Sequence, residues 1–444
     1  MTAPSHDLDP NWRAAGADLR DTWQVLDQET RVEGFRHLTS SGAEEFFSEL
    51  DAFDRVGVVM GLPPAEQRLW MRSLAPDDAA DLIQAAPEES RLHLLQQIDA
   101  PTRKEVIALM AYAEDEAGGL MNPRYARLRP DWSVDEAISY LRRQTRAQVE
   151  SLYYAYVLDE SEKLLGTVSF RELLTARGDA RVREIMNTDF VAVREEMDQE
   201  ELSLLFADRD LMALPVVDGE GRMQGIVTAD DIVDVVTEEA TEDIQKIGGS
   251  DPLEAPYLQT PFRQMFQKRA GWLTILFVGA MLTINAMSAF EEELEGAKML
   301  VYFVPLIIST GGNCGSQAST LVIRAMALGE VRLKDWWRVA MRELLSGLAL
   351  GALLASLGLA RVLIGQKILP EEAAGEQFLT ILGTVVFAVL GVTLWGTLAG
   401  ALLPFGLKRL SFDPASASAP LVATIVDVTG LVIYFTVASV LLAS

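Results

Sequence analysis

The chain has 444 residues, 49% of them hydrophobic, and a formal net charge of −26. It is too long for one compact domain, and an acidic excess of this size repels nucleic acid and anionic surfaces while favouring cationic partners, divalent metals among them. DNA and RNA binding are therefore set aside. The charge is segregated: residues 1–262 hold 52 acids and 25 bases, whereas residues 263–444 hold 12 and 13. The start, Met1 to His6, carries no basic stretch leading into an apolar run, so no signal peptide is expected and the acidic half should stay cytosolic. Cys314 is the single cysteine, which allows neither an intrachain disulfide nor a multi-cysteine metal site.

From Asp9 to Ala117 apolar residues recur at three and four, as in Phe46/Phe47/Leu50/Phe53, which is a helical period. Pro64, Pro76, Pro87 and Pro101 punctuate this stretch about every dozen residues, so short helices stacked into an α-helical superhelix are expected over residues 1–120. Asp77 and Asp81 fall one turn apart on one helical face, where like charges repel unless something bridges them. Acids just after a helix start are also favoured by the macrodipole alone, and both readings stay open.

Between about 121 and 240 the chain repeats at an offset of 59 residues. Tyr156-Val157-Leu158-Asp159 followed by Gly166 to Arg171 matches Val216-Val217-Asp218 followed by Gly225 to Asp230. Each copy reads strand, turn, strand, helix, and Met121-Asn122 and Met186-Asn187 precede them. The tandem resembles a pair of CBS domains, here residues 121–182 and 183–240. That resemblance implies a regulatory module able to take an adenine nucleotide such as ATP. The nucleotide pattern Gly-x-x-Ser/Thr-x-Asp stands intact in the second copy as Gly225, Thr228 and Asp230, while Arg171 replaces the acid in the first. A purely structural strand-to-helix turn is the alternative.

Asp230-Asp231, Asp234, Glu238-Glu239 and Glu242-Asp243 lie at helical spacing and give one strongly negative face. Carboxylates crowded in this way suit a hard cation such as Mg²⁺ or Ca²⁺; the competing reading is a solvated surface. Gly248-Gly249, Pro252 and Pro256 then allow a bend, so residues 241–262 read as a connecting helix leading to the membrane.

Five apolar segments follow, Ala270–Ala289, Met299–Ile323, Leu344–Ala360, Phe378–Leu407 and Ala415–Ser444. All but the third reach the ~20 residues needed to cross a bilayer, and Val339, Ala340 and Val362 can extend that one. Lys268/Arg269, the bases from Arg324 to Arg342, and Lys408/Arg409 mark one side; Glu291–Glu293 and Glu371–Glu372 mark the other. The positive-inside rule then places the N-terminus in the cytosol and the C-terminus outside. Ser309 to Thr320, with Gly311-Gly312-Asn313-Cys314-Gly315-Ser316-Gln317 at its centre, is too polar to face lipid. It faces a cavity or makes a close helix crossing. Asp427 is the one charge in the last segment, and a carboxylate at such depth costs at least ~2.5–3.5 kcal/mol unless it meets a cavity, a partner or a cation.

The order of these parts resembles the MgtE family of magnesium channels or transporters across essentially the whole chain. Ala117-Gly118-Gly119-Leu120-Met121, Gly311 to Gln317, Asp413-Pro414-Ala415 and Asp427-Val428-Thr429-Gly430 carry the resemblance. It implies a cytosolic superhelical domain (1–120), an α/β tandem CBS pair, a connecting plug helix (241–262) and an all-α domain of five spans (263–444). The implied molecule is a homodimer in the cell (inner) membrane, with a Mg²⁺ pore on its twofold axis. Asp427, Asp413, Asn313 and Ala423 fall at the implied pore. Asp77, Asp81, Asp198, Glu200, Asp210, Asp231, Asp234, Glu239, Glu242 and Asp243 fall at implied Mg²⁺ sensor positions. The chain would then be a transporter and not an enzyme. Three rival classes stay open: a membrane-anchored nucleotide sensor, an intramembrane aspartyl hydrolase built across a dimer, and a broader transporter of Mn²⁺ or Co²⁺.

Overall fold

The computed structural model describes residues 16–144, 153–209, 211–253, 255–290, 298–365 and 378–442. Asp210 and the two acidic stretches Glu291–Glu293 and Glu371–Glu372 lie outside these residues. The chain divides into two compact units, Met1–Thr237 and Glu238–Ser444, and each is described by itself.

The first unit opens with α1 (Gly16–Thr22), α2 (Gln28–Arg36), α3 (Ser40–Glu49), α4 (Ala52–Gly61), α5 (Pro64–Ser73), α6 (Pro76–Ala85), α7 (Glu88–Gln97) and α8 (Ala100–Leu109). From α2 onward the helices begin every 12 residues, and the repeat has a local cause. An apolar residue in extended backbone, from Leu50 and Leu62 to Leu74 and Ile98, ends one helix and plugs the core. A cap or proline then starts the next. Asp27, Thr39, Asp51 and Asp99 accept hydrogen bonds from the backbone amides of Thr30, Gly42, Asp54 and Thr102, while Pro64 and Pro76 take first-turn positions that need no N–H. Alternate helices pack, α2 on α4, α4 on α6, α6 on α8, which winds the stack into a superhelix. Inside it Arg31 and Asp54, each 3% exposed, pair at 2.8 Å, and Arg31 Nε also donates to the Trp23 carbonyl.

After a short turn, α9 (Ala117–Leu120), two matching α/β modules follow. The first holds β1 (Ala126–Leu128), α10 (Val134–Gln144), β2 (Tyr154–Leu158), β3 (Leu164–Ser169) and α11 (Phe170–Thr175). The second, entered through α12 (Val182–Ile185), holds β4 (Val193–Arg194), α13 (Gln199–Arg209), β5 (Ala213–Val217), β6 (Met223–Thr228) and α14 (Ala229–Ile247). Each sheet has a parallel pair followed by an antiparallel pair, and each has the same register irregularity, after Val157 and after Val216. The Met-Asn segments cross over: Asn122 bridges to Ile226 of the second module, and Asn187 to Thr167 of the first. Gly225 and Gly166 make that possible, because a Cβ at Gly225 would fall 2.9 Å from the Asn122 carbonyl and one at Gly166 2.8 Å from the Asn187 carbonyl.

α14 ends at Ile247, where Gly249 takes φ +76. The helical part of the connector is therefore residues 229–247, and the residues described between 248 and 261 form turns. In the second unit follow α15 (Phe262–Ala280), α16 (Leu282–Ala289), α17 (Val304–Ala327), α18 (Trp336–Gly365), α19 (Phe378–Arg409) and α20 (Ala419–Leu442). Among the described residues four helical stretches, 262–289, 333–361, 379–409 and 419–442, are long and apolar enough to cross a membrane. α17 has 24 residues, but its serines, glycines and amides leave it outside that set, although it packs against both α19 and α20. The last helix starts at Ala419, later than the segment from Ala415 expected above, since Asp413 caps a separate turn over Pro414–Ser416.

Candidate functional site

α17 and α19 meet where two glycines of α19 lie against two glycine carbonyls of α17. A Cβ on Gly396 would lie 2.6 Å from the Gly311 carbonyl oxygen, and one on Gly400 would lie 2.1 Å from that of Gly315. Four residues separate the glycines on each helix, the spacing that lets two backbones touch along one ridge. This seam fixes which side of α17 is turned inward. Gly311, Gly315, Ala318 and Val322 are buried, while Ser309, Asn313, Gln317 and Thr320 stand exposed. Asn313 Nδ2 donates to Ser309 Oγ at 3.4 Å. A polar edge of this kind on a span cannot be turned to hydrocarbon without a several-kcal/mol penalty per unpaired group.

Beside that edge lies Asp427, half-buried on α20. Gly312 makes room for it, since a Cβ there would sit 3.2 Å from Asp427 Oδ1 and 3.4 Å from the Ala423 Cβ. Glycine at 312 thus joins three of the expected pore residues: its sequence neighbour Asn313, and Ala423 and Asp427 one turn apart on α20. Among the described residues no group of three His, Cys, Asp or Glu side chains is placed to hold a metal ion. Among the described residues one chain on its own therefore offers Asp427 as a single carboxylate beside Gly312.

The entry to α20 is held by several contacts. Ser316 Oγ and Ser319 Oγ donate to the carbonyls of Ala419 and Ala417 at 3.0 and 2.8 Å, and Trp272 Nε1 donates to Ser418 Oγ at 3.2 Å. Asp413 accepts from the Ala415 amide at 2.8 Å through Oδ1 and from Lys246 Nζ at 2.6 Å through Oδ2. Lys246 pairs with Glu242 as well. Burial works against its charge, but the bonds it donates to Asp413 and Glu242 hold the ammonium above the usual lysine value. Asp243 is pushed up to about 6, first by burial and then by Asp413 and Glu239. The end of α14 is thus docked on the approach to the helix that carries Asp427. Lys246 was not singled out from the sequence, although Glu242-x-x-x-Lys246 is a helical ion-pair spacing.

In the first unit the expected sensor acids separate into different environments. Asp77 is 8% exposed and accepts from Asn122 Nδ2 at 3.0 Å, tying α6 to the Met-Asn crossover. Asp81 is exposed at the surface, yet the mass of protein packed around it, then Asp78 and Asp231, push its carboxyl up to about 7. Asp231 rises to about 6 through burial, against the lowering effect of Thr228. Its Oδ2 accepts from both the amide and the hydroxyl of Thr228, at 3.1 and 2.5 Å, and so caps α14. The first module repeats the arrangement with Ser169 and Glu172. Thr228 and Asp231 therefore have a structural task at the nucleotide-pattern turn, while Asp230 is exposed beside them. Asp234 is raised by burial, with Arg55 opposing, and Arg55 itself pairs with Asp78. Asp198 Oδ1 accepts from the Glu200 amide at 2.9 Å and caps α13, which puts both residues at one helix start.

Comparison with known proteins follows this layout. Residues 15–115 match the MgtE intracellular N domain, residues 117–179 and 182–238 the CBS domain, and residues 304–437 the divalent cation transporter domain of MgtE. Fold and site thus define a class, the membrane transporters of divalent cations that carry a tandem CBS pair. The chain belongs to the MgtE family of magnesium transporters. The magnesium transporter MgtE of Thermus thermophilus is 41% identical over 428 residues, covering 96% of this chain and 92% of that one. That of Bacillus subtilis is 31% identical over 430 residues, with the same coverage of 96% and 92%. Among solved structures, the crystal structure of the cytosolic domain of the Mg²⁺ channel MgtE in complex with ATP is 42% identical, covers 50% of this chain and 90% of that one, and has a TM-score of 0.47.

Proposed function

We propose that the chain forms a homodimeric Mg²⁺-selective channel or transporter, closed by intracellular Mg²⁺ bound to its acidic residues. The observation that carries this is the half-buried Asp427 beside Gly312, next to an exposed polar edge on α17. A second copy related by a twofold axis would cover that edge and bring a second Asp427 opposite the first. Mg²⁺ sheds its water reluctantly and prefers octahedral oxygen, so two carboxylates with amide and carbonyl groups would hold it largely hydrated and still release it. In this reading α17 is a fifth span, the N-terminus is cytosolic, the C-terminus is outside, and the end of α14 acts as the plug.

Gating rests on charge. Without divalent cations, Asp78, Asp81, Asp231 and Asp234 repel one another in the first unit, as do Glu239, Asp243 and Asp413 in the second. Mg²⁺ bound among them would favour the closed arrangement, which must bind the ion more tightly than the open one. ATP is proposed as a regulatory ligand at Gly225, Thr228 and Asp230, with the exposed Asp230 available to a ribose.

The test is Mg²⁺ uptake into vesicles holding the purified chain, with Mn²⁺, Co²⁺ and Ca²⁺ as competitors. Uptake that excess Mn²⁺ and Co²⁺ leave untouched supports Mg²⁺ selectivity, and equal competition supports the broader transporter. ATP binding with no flux of any divalent would point to the membrane-anchored sensor instead.

A further inference from the structure

We propose that the rim between α17 and α18 is a docking surface for anionic phospholipid headgroups. The segment turns sharply at Gly329, φ +67, and then forms a short turn in which the Arg332 amide donates to Asp335 Oδ2 at 3.2 Å. One side of it is anchored: Val331 and Val339 pack on Val322, Met326 and Phe405 of the bundle. The other side is open. Trp336 and Trp337 are 50% and 58% exposed, their rings edge-on with centroids 5.6 Å apart. Around them stand Arg332, Lys334, Arg338 and Arg342, all exposed. Arg338 pairs with Asp335 at 3.2 Å and Arg342 interacts with the neighbouring Glu343, whereas among the described residues Arg332 and Lys334 have no acidic side chain at ion-pair distance.

In a chain of net charge −26 this is a local excess of bases over acids. It sits where α18 passes from polar to apolar sequence, so a bilayer brings lipid phosphates to its level. Indoles favour that same depth, one face apolar and the N–H wet. Each base near an anionic surface contributes about a fivefold gain in affinity. A lipid, and not free phosphate, satisfies indoles and bases together. The inference needs only that the helices span a membrane and is independent of the ion transported.

The experiment uses the full chain in a zwitterionic detergent, with tryptophan fluorescence quenched by brominated phosphatidylglycerol or brominated phosphatidylcholine. The unsubstituted chain should prefer the anionic lipid at least tenfold. Arg332→Gln/Lys334→Gln/Arg338→Gln should bring the preference close to unity, whereas Arg332→Lys/Arg338→Lys should retain it. Equal quenching by both lipids in the unsubstituted chain would overturn the proposal, whatever the variants do. So would an undiminished preference in the folded triple variant, or removal of the preference by millimolar inorganic phosphate.

Discussion

Gly400→Ala is the sharpest perturbation of the site because it adds one methyl group where two backbones touch. That Cβ would fall 2.1 Å from the Gly315 carbonyl oxygen and 2.9 Å from the Gly315 Cα. Neither atom belongs to a side chain that can swing away, so α17 and α19 must part by about 1 Å, at a cost of about 1–3 kcal/mol. The displacement acts on the turn of α17 after Gly312, the residue that accommodates Asp427. Since each 1.4 kcal/mol is a factor of ten, correctly packed molecules should become about five- to 140-fold scarcer relative to displaced ones. Mg²⁺ uptake in vesicles, followed with an internal indicator dye, should drop at least severalfold, and the thermal midpoint in detergent should fall. Gly406→Ala on the same helix is the control, because nothing lies within 4 Å of its Cβ; it should leave both quantities at or slightly above the starting values. Gly400→Ala with unchanged uptake and midpoint would refute the claim that backbone contact sets the position of the polar edge.

Asp54→Ala leaves Arg31 charged and buried without its partner, so residues 1–237 expressed alone should lose about 3–5 kcal/mol of stability; a loss below 1 kcal/mol in urea unfolding would contradict the buried pair. Lys246→Gln removes the cation between Glu242 and Asp413, so internal Mg²⁺ should be needed at higher concentration for half-closure, while Lys246→Arg stays near the original value. Identical inhibition curves for all three would remove the pair from gating. Stability of residues 1–237 should also fall with rising pH. Folded Asp231 and Asp81 hold protons up to about 6 and about 7, whereas an unfolded aspartate releases its proton near ~3.9. Their contribution is therefore complete below about 4 and is lost as pH rises through 6 and 7. Mg²⁺ should restore more stability at pH 8 than at pH 5, and Asp81→Asn should flatten the profile. A midpoint independent of pH between 5 and 8 would refute this.

Much of the fold was legible because it repeats. Prolines a dozen residues apart announced the stacked helices, and the offset of 59 between Gly166 and Gly225 announced the tandem modules. Periodicity could not say which helix touches which. Gly396 and Gly400 are two small residues in an apolar run until α17 supplies the carbonyls they meet. Composition alone gave α17 as an apolar segment, whereas its hydropathy falls short of that of the four helices long and apolar enough to cross a membrane, for the same reason that it draws attention, a polar edge. Acids were too numerous to sort by spacing. Asp77 and Asp81 read alike in sequence, but Asp77 is committed to Asn122, a residue 45 positions away, and Asp81 keeps acidic neighbours. Asp413 read as a pore-mouth acid, and its cap on the Pro414–Ser416 turn and its bond to Lys246 became visible only in three dimensions. Lys246 itself was hidden, one base after a long acidic run, because its partner lies 167 residues further on.

The most direct test of the central claim is Mg²⁺ uptake by Asp427→Asn in reconstituted vesicles, beside the unsubstituted chain at equal incorporation. Asparagine keeps the volume beside Gly312 and removes the charge. Uptake should be abolished while the protein stays folded and elutes from gel filtration at the position of the unsubstituted chain. Uptake equal to that of the unsubstituted chain, with selectivity over Ca²⁺ preserved, would contradict the assignment of Asp427 as the residue that holds the ion.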